Sequence, residues 1–232
     1  MKKKILLGIL LITLCLTACT KEKTVSKDAL KFKKEYESFN EKKNDYFEYR
    51  DLDIDEDNPF IYKTAEDIVK KIENKETFIV YFGDPECPWC RSVIEQAIKS
   101  ANEVGVDKIY YVRIWDGFHN EILRDTYELK NGKAVLKDKG TEAYEKLIEY
   151  FDNVLDEYTL STEDEDTIKV GEKRIFAPNF ISVKKGKAKE LVQGISDKQE
   201  GYNGKLTDEV LKDEDKTFKE FYNNSITCKN DC

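Results

Sequence analysis

The sequence predicts an α/β fold with a central mixed sheet flanked by helices, and three stretches carry the prediction. Thr77-Phe-Ile-Val-Tyr-Phe-Gly-Asp-Pro-Glu-Cys-Pro-Trp-Cys-Arg91 is an apolar, β-branched and aromatic run, then a turn, then the helical pattern of Val93, Ile94, Ala97 and Ile98. Asn58-Pro-Phe-Ile-Tyr62 before it, with the helical spacing of Ile68, Val69 and Ile72, and Lys108–Trp115 after it, complete a β-α-β-α-β rhythm. Arg174-Ile-Phe-Ala-Pro-Asn-Phe-Ile-Ser-Val183, a turn at Lys184-Lys-Gly-Lys187, and Ala188–Val192 read as a strand, a glycine-containing hairpin turn and a second strand.

Composition narrows the function. The 232 residues are 37% charged, 40% hydrophobic and 12% aromatic, which describes a charged globular chain long enough to bury a core. A net charge of −8 argues against a nucleic-acid partner, because phosphate neutralisation needs a basic surface. The acidic runs Asp51–Asp57 and Glu163–Asp166 read as solvated loops, with weak calcium binding as the alternative.

Taken in order, Lys2-Lys3-Lys4 and the apolar run Ile5–Leu16 form the n- and h-regions of a signal peptide, residues 1–18. Leu16-Thr17-Ala18-Cys19 resembles the lipobox of bacterial lipoproteins, which implies lipidation of Cys19 and stable anchoring to a membrane by its acyl chains. Ordinary secretory cleavage near Ala18 is the alternative. Either way the protein is expected outside the cytoplasm, where disulfides persist. Residues 19–57 read as the modified cysteine, a tether and a moderately amphipathic helix carrying Leu30, Phe32, Tyr36 and Phe39, expected to act as a spacer.

The main domain is expected over 58–226. Asn58–Tyr62 is an edge strand, Thr64 caps the next helix, and Lys108–Trp115 is a centrally placed parallel strand. From about 116 to 171 the β/α rhythm is interrupted by an insertion expected to be largely helical. It contains an Asn131-Gly132 hairpin turn and a helix opened by Thr141, with Tyr144, Leu147, Ile148, Phe151, Val154 and Leu155 on one face. Pro178 stands at the mouth of a strand, where a cis bond is expected. Leu206–Ile226, with Leu211, Phe218, Phe221 and Tyr222, closes one face of the sheet as a terminal helix.

The chemistry centres on Cys87-Pro88-Trp89-Cys90. Only a thiolate attacks a disulfide, and the unsatisfied N–H groups and positive macrodipole end of a helix start favour negative charge at Cys87. Arg91 adds a cation to this segment. Cys90 lies one turn deeper, so Cys87 is the expected attacker and Cys90 the resolving thiol. Zinc sites use the same Cys-x-x-Cys spacing, and a site built from Cys87, Cys90, Cys228 and Cys232 is a further alternative. Cys228 and Cys232 in the 227–232 tail are expected to bridge one another, since residues four apart on a helical turn have Cα atoms about 6 Å apart. A second redox pair is the other reading of those two residues.

The strand, Cys87-Pro-Trp-Cys90 and helix, taken with Ala177-Pro178, resemble the thioredoxin fold. The lipidated context resembles the thioredoxin-like lipoproteins and bacteriocin-transport accessory proteins of Gram-positive bacteria. The resemblance implies a membrane-anchored extracytoplasmic thiol–disulfide oxidoreductase that exchanges disulfides with protein thiols and an unidentified redox partner. It would be a monomer whose redox centre is the cysteine pair, with no organic cofactor or metal. It implies that Pro178 is a cis-proline facing the pair and that Pro88, Trp89 and Ala177 bind substrate. Arg113 stands where thioredoxins often carry a lysine. Two departures stand out. Six residues before the first cysteine, where thioredoxins place a buried acid as proton acceptor, this chain has Tyr81; either Asp84 or Glu86 substitutes for it, or the base is absent, which would slow steps that deprotonate Cys90. The intervening dipeptide is Pro-Trp rather than Gly-Pro, closer to the Pro-Tyr of glutaredoxins. The alternative function is a non-catalytic accessory lipoprotein with a static Cys87–Cys90 bond.

Overall fold

The computed structural model describes residues 25–116, 120–162 and 166–226. In chain order these form α1 (Lys27–Glu37), β1 (Phe60–Tyr62), α2 (Ala65–Glu73), β2 (Phe78–Gly83), α3 (Pro88–Val104), β3 (Ile109–Arg113), β4 (Thr126–Lys130), β5 (Lys133–Asp138), α4 (Glu142–Phe151), β6 (Asp156–Ser161), β7 (Thr167–Arg174), β8 (Asn179–Lys184), β9 (Lys187–Val192) and α5 (Asp208–Ile226). Five strands make one mixed sheet in the order β1-β3-β2-β8-β9. The first three run parallel, and β8 and β9 join antiparallel. The expectation of an α/β protein with a central mixed sheet and flanking helices holds.

Strand β2 is central because its side chains are apolar on both faces. Ile79 and Tyr81 enter a core shared with α1, α3 and α5, while Val80 and Phe82 enter a second core shared with α2 and α4. This is the period-two alternation of a strand sandwiched between layers. The helix starts follow their sequence signals. Thr64 Oγ1 accepts from Asp67 N at 3.2 Å and Asp67 returns the bond to Thr64 N at 3.4 Å, a capping box. Thr141 caps α4 by accepting from Tyr144 N at 3.1 Å.

Among the described residues, α1 packs into the core instead of standing off as a spacer. Phe32 and Tyr36 of α1 are fully buried, and the Phe32 ring stacks on Phe60 at 4.1 Å and on Tyr36 at 4.4 Å. Asn58 Nδ2 donates to Ala29 O at 3.0 Å, and Asp28 accepts from Tyr62 N at 3.1 Å, which fixes α1 beside the edge strand. The helix carries charge on most positions, yet two aromatic rings one turn apart bury enough area to dock it. In the acidic run, Leu52 and Ile54 are buried while Asp51, Asp53 and Asp55 face solvent. Alternation anchors that loop, and its acids stay solvated.

The insertion is not largely helical. It consists of two antiparallel ribbons, β4–β5 and β6–β7, with α4 between them. The first turns at Asn131-Gly132, both residues at positive φ (52° and 72°) as a two-residue hairpin requires. The second arises from half-buried Tyr158, Leu160, Ile168 and Val170 alternating with exposed polar residues, a strand pattern masked in sequence by its charge. Helix α4 ends at Phe151, so Val154 and Leu155 lie beyond it. The ribbons brace the segment entering β8: Arg124 Nη1 donates to Ile175 O at 3.2 Å, and the Arg174 guanidinium covers the Tyr158 ring at 4.1 Å. Residues 163–165 of the second acidic run lie outside the described residues, as do Cys15, Cys19, Cys228 and Cys232, and with them the signal-peptide, lipidation and tail-disulfide expectations. Among the described residues no helix is long and apolar enough to cross a membrane.

Helix α5 packs through Val210, Phe218, Phe221 and Tyr222, and buries Glu214 completely. Among the described residues neither Glu214 carboxyl oxygen has a hydrogen-bond partner. Burial, with Asp213 adding and Arg50 opposing, pushes this carboxyl up to about 8. A raised carboxyl favours folding fully only below its unfolded value, and that contribution is lost as pH climbs through the folded value. Thermal unfolding of the protein is therefore expected to show stability falling between about pH 4.5 and about pH 8. Glu214→Gln should flatten the upper part of that slope, leaving the part below about 6 that Asp84 contributes with the same sign. Equal slopes in the two proteins would remove Glu214 as its source.

Candidate functional site

Strand β2 ends at Gly83, and the chain turns through Asp84-Pro85-Glu86 before Cys87 caps α3. Cys87 N donates to Asp84 O at 3.1 Å, closing the turn. As N-cap, Cys87 Sγ accepts the N–H of Cys90 at 3.3 Å, one of the orphan donors of the first helical turn. Pro88 at the first helical position needs no N–H partner and presets the backbone. Both cysteines are free thiols. Cys87 is 4% exposed and Cys90 0%, so the first sulfur is the more accessible of a recessed pair.

Across from them the Ala177–Pro178 peptide bond is cis. The Cys87 thiol donates to Ala177 O at 3.4 Å, so the backbone entering β8 lies against the first sulfur. Pro178 is buried, and Ala177, Pro88 and Trp89 are half-buried. Trp89 meets Tyr202 edge-on at 5.9 Å, and Tyr202 meets Phe47 at 5.3 Å, extending an aromatic ledge away from the cysteines.

The charged residues behave differently from one another. Asp84 is fully buried beside the turn, where it accepts from Glu86 N and Arg113 Nε, each at 2.9 Å, and from Trp115 N at 3.3 Å. Burial outweighs these donors and pushes its carboxyl up to about 6. Arg113, at the end of β3, also reaches Glu86 and Glu35 at 3.8 Å. Arg91 turns the other way: its guanidinium donates to Tyr36 O at 2.7 Å, Pro85 O at 3.1 Å, Asn40 Oδ1 at 2.9 Å and Arg50 O. It is 1% exposed and ties the N-terminal segment to α3, in place of the cation by the thiols expected from sequence.

Tyr81 stands on β2, six residues before Cys87. It is fully buried between Phe180 and Tyr111, with ring centroids at 4.3 and 5.4 Å. Its hydroxyl lies 2.9 Å from the hydroxyl of Tyr36, brought in by α1. Burial, reinforced by the hydrogen bond to Cys87, pushes the Cys90 thiol well above the ordinary cysteine range. The Tyr81 hydroxyl and the backbone of Asp84 pull it the other way. Sequence reasoning missed Tyr36, whose only signal was its place on the apolar stripe of α1.

Among the described residues no group of three or more His, Cys, Asp or Glu is placed to hold a metal ion. No family model matches the chain, and no curated protein matches it.

Proposed function

We propose that this protein is a thiol–disulfide oxidoreductase on a thioredoxin-like scaffold, held outside the cytoplasm by lipid on Cys19 and exchanging disulfides with protein clients at Cys87. One observation carries the reading: a helix-capping Cys87, paired with a deeper Cys90, lies against the carbonyl that precedes a cis-proline. The strand order β1-β3-β2-β8-β9 supports the scaffold, because it places the cysteine turn and the proline loop at the same end of neighbouring strands β2 and β8. An extended client strand could pair with the backbone at Ala177 while its disulfide meets Cys87. Cys87 then attacks, and Cys90 resolves the mixed disulfide.

The accessory-lipoprotein reading draws support from the recess of both sulfurs, which suits a static bond. Equilibration of the full chain with glutathione and dithiothreitol couples separates the two. An exchanging pair is expected to have a potential between about −120 and −270 mV, the range of thiol–disulfide enzymes. A value below about −300 mV marks a structural bond and ends the enzymatic reading.

A further inference from the structure

From the rings that lead away from Cys87-Pro-Trp-Cys90 we infer that Tyr202 and Phe47 select the protein clients of this site, favouring a segment that carries an aromatic or large aliphatic residue beside its reacting cysteine. The inference rests on the proposed function and names the client chemistry of that same site. Trp89, between the two cysteines, meets Tyr202 at 5.9 Å, Tyr202 meets Phe47 at 5.3 Å, and Phe47 meets Tyr49 at 5.1 Å. The last three rings are half-buried and lie outside both hydrophobic cores. Neither carrier is part of the cysteine turn or the proline loop: Phe47 stands in residues 42–49, and Tyr202 in the loop between β9 and α5.

Both carriers are tied down by hydrogen bonds. Residues 42–49 fold back as a small hairpin: Tyr49 N donates to Lys42 O at 2.9 Å, Asn44 N to Phe47 O at 3.0 Å, and Asn44 Oδ1 accepts from Tyr46 N and Phe47 N at 2.9 Å each. In the second loop Gly201 takes a φ of 73°, and its carbonyl accepts from Gly204 N at 3.1 Å and Gln199 Nε2 at 2.9 Å. Ser196 Oγ donates to Asp213 Oδ2 at 2.6 Å and fastens this loop to α5. Arg50 joins the two carriers: its Nη2 donates to Gly204 O at 2.6 Å, while its own carbonyl accepts from Arg91 Nε of α3 at 2.8 Å. The rings are thus pinned to the helix that carries the cysteines. An aromatic side chain held in place beforehand loses little conformational freedom when a ligand covers it. Charge does not compete with that contact. The hairpin sets Lys42 and Lys43 against Asp45 and Glu48, and the loop sets Lys198 and Lys205 against Asp197 and Glu200, so neither carries net charge on a chain whose total is −8. Such a surface discriminates by apolar area. Its occupant is the client chain itself, because a segment that extends from a disulfide at Cys87 past Trp89 meets Tyr202 next.

The test uses serine-rich peptides, each with one cysteine joined to nitrothiobenzoate, that carry phenylalanine before the cysteine, after it, or nowhere. The Cys87 thiolate attacks the peptide sulfur, the bond to nitrothiobenzoate breaks, and that low-pKa thiolate leaves with the electron pair as the coloured product. Cys90 then displaces the peptide, so the cysteine pair is oxidised while peptide and nitrothiobenzoate are both reduced. The reduced full chain is expected to release colour about tenfold faster from a phenylalanine peptide whose ring falls on Tyr202 than from the serine peptide. Tyr202→Ser combined with Phe47→Ser should bring that ratio below about threefold. Leu136→Ser, which removes a 45% exposed apolar residue on β5, should keep it. A measurement that needs no substitution is titration of the unaltered chain with the phenylalanine peptide bearing serine for cysteine: aromatic resonances of Trp89, Tyr202 and Phe47 should shift, and those of Tyr127 on β4 should not. Equal rates for the three peptides, or a ratio that survives the double substitution, overturn the inference and leave the proposed function standing. Shifts with an N-acetylglucosamine oligomer but not with the peptide, or on dilution alone, assign the rings to a glycan or to a second copy and overturn it as well. If no peptide releases colour, the proposed function falls, while the titration still decides whether the rings bind a peptide segment.

Discussion

Replacing Cys87 by serine is expected to reduce turnover of a model protein disulfide to the uncatalysed background, whereas Cys90→Ser should still attack but stall with the client attached. The asymmetry follows from the burial and bonding of the two sulfurs. Cys87 caps α3, accepts the Cys90 N–H and lies beside Ala177 O. A serine hydroxyl is protonated at neutral pH and cannot replace a thiolate as nucleophile. Cys90 is fully buried, and burial disfavours its ionised form, so it is a poor first attacker and acts once Cys87 has brought a sulfur to it. In cells, Cys90→Ser should therefore accumulate covalent adducts that dithiothreitol releases, and a double Cys87→Ser/Cys90→Ser variant should accumulate none. Alkylation of the reduced protein gives an independent check: Cys87 should be modified before Cys90. Residual turnover in Cys87→Ser comparable to the parent, or adducts formed through Cys90, would remove Cys87 from the role of nucleophile.

The elements from β1 to β3 were legible in sequence because each satisfies a local rule. Thr64 stands before a helical apolar stripe, and β2 is apolar at every position that the two cores fill. The Cys-x-x-Cys turn was legible for the same reason, and so was the proline at the mouth of β8. What escaped depended on partners distant in the chain. Phe32 and Tyr36 look like two aromatics in a charged, tether-like helix until β1 and β3 supply the rings they stack on. The β6–β7 ribbon was hidden because its outer face is almost entirely charged or polar, which reads as loop without the partner strand. Tyr81 was visible as a departure from the expected acid. Its hydrogen-bond partner, Tyr36, lies 45 residues away.

Arg91 was misjudged for a related reason, and it carries the largest expected effect on stability. Adjacent to Cys90 in sequence, it looked like a cation for the thiols, but a helical residue after N3 projects from a different face, and this one meets the segment 36–50. Its guanidinium satisfies the carbonyls of Tyr36, Pro85 and Arg50 and the side chain of Asn40, and lies 5.8 Å from the centre of the Tyr49 ring. Asn40 in turn clasps Leu52 through both its amide groups, at 2.7 and 3.0 Å. One side chain thus fastens α1 and the loop after it to α3. Arg91→Met keeps the length of the stem and leaves these buried acceptors without a donor, at about 1–3 kcal/mol for each group that cannot reach water. Relaxation of the loop will rehydrate some of them, so a total loss of about 3–5 kcal/mol is expected in chemical denaturation. Arg91→Lys should recover less than half of it, because a single ammonium cannot reproduce a planar fork aimed at carbonyls on several sides. Amide exchange should rise most over 27–52 in both variants, since that segment loses its clasp while the central sheet keeps its own ladders. The order of alkylation at Cys87 and Cys90 should persist at temperatures where the variant remains folded. A denaturation midpoint for Arg91→Met close to that of the parent, with unchanged exchange over 27–52, would show that the segment is held by its aromatic packing alone.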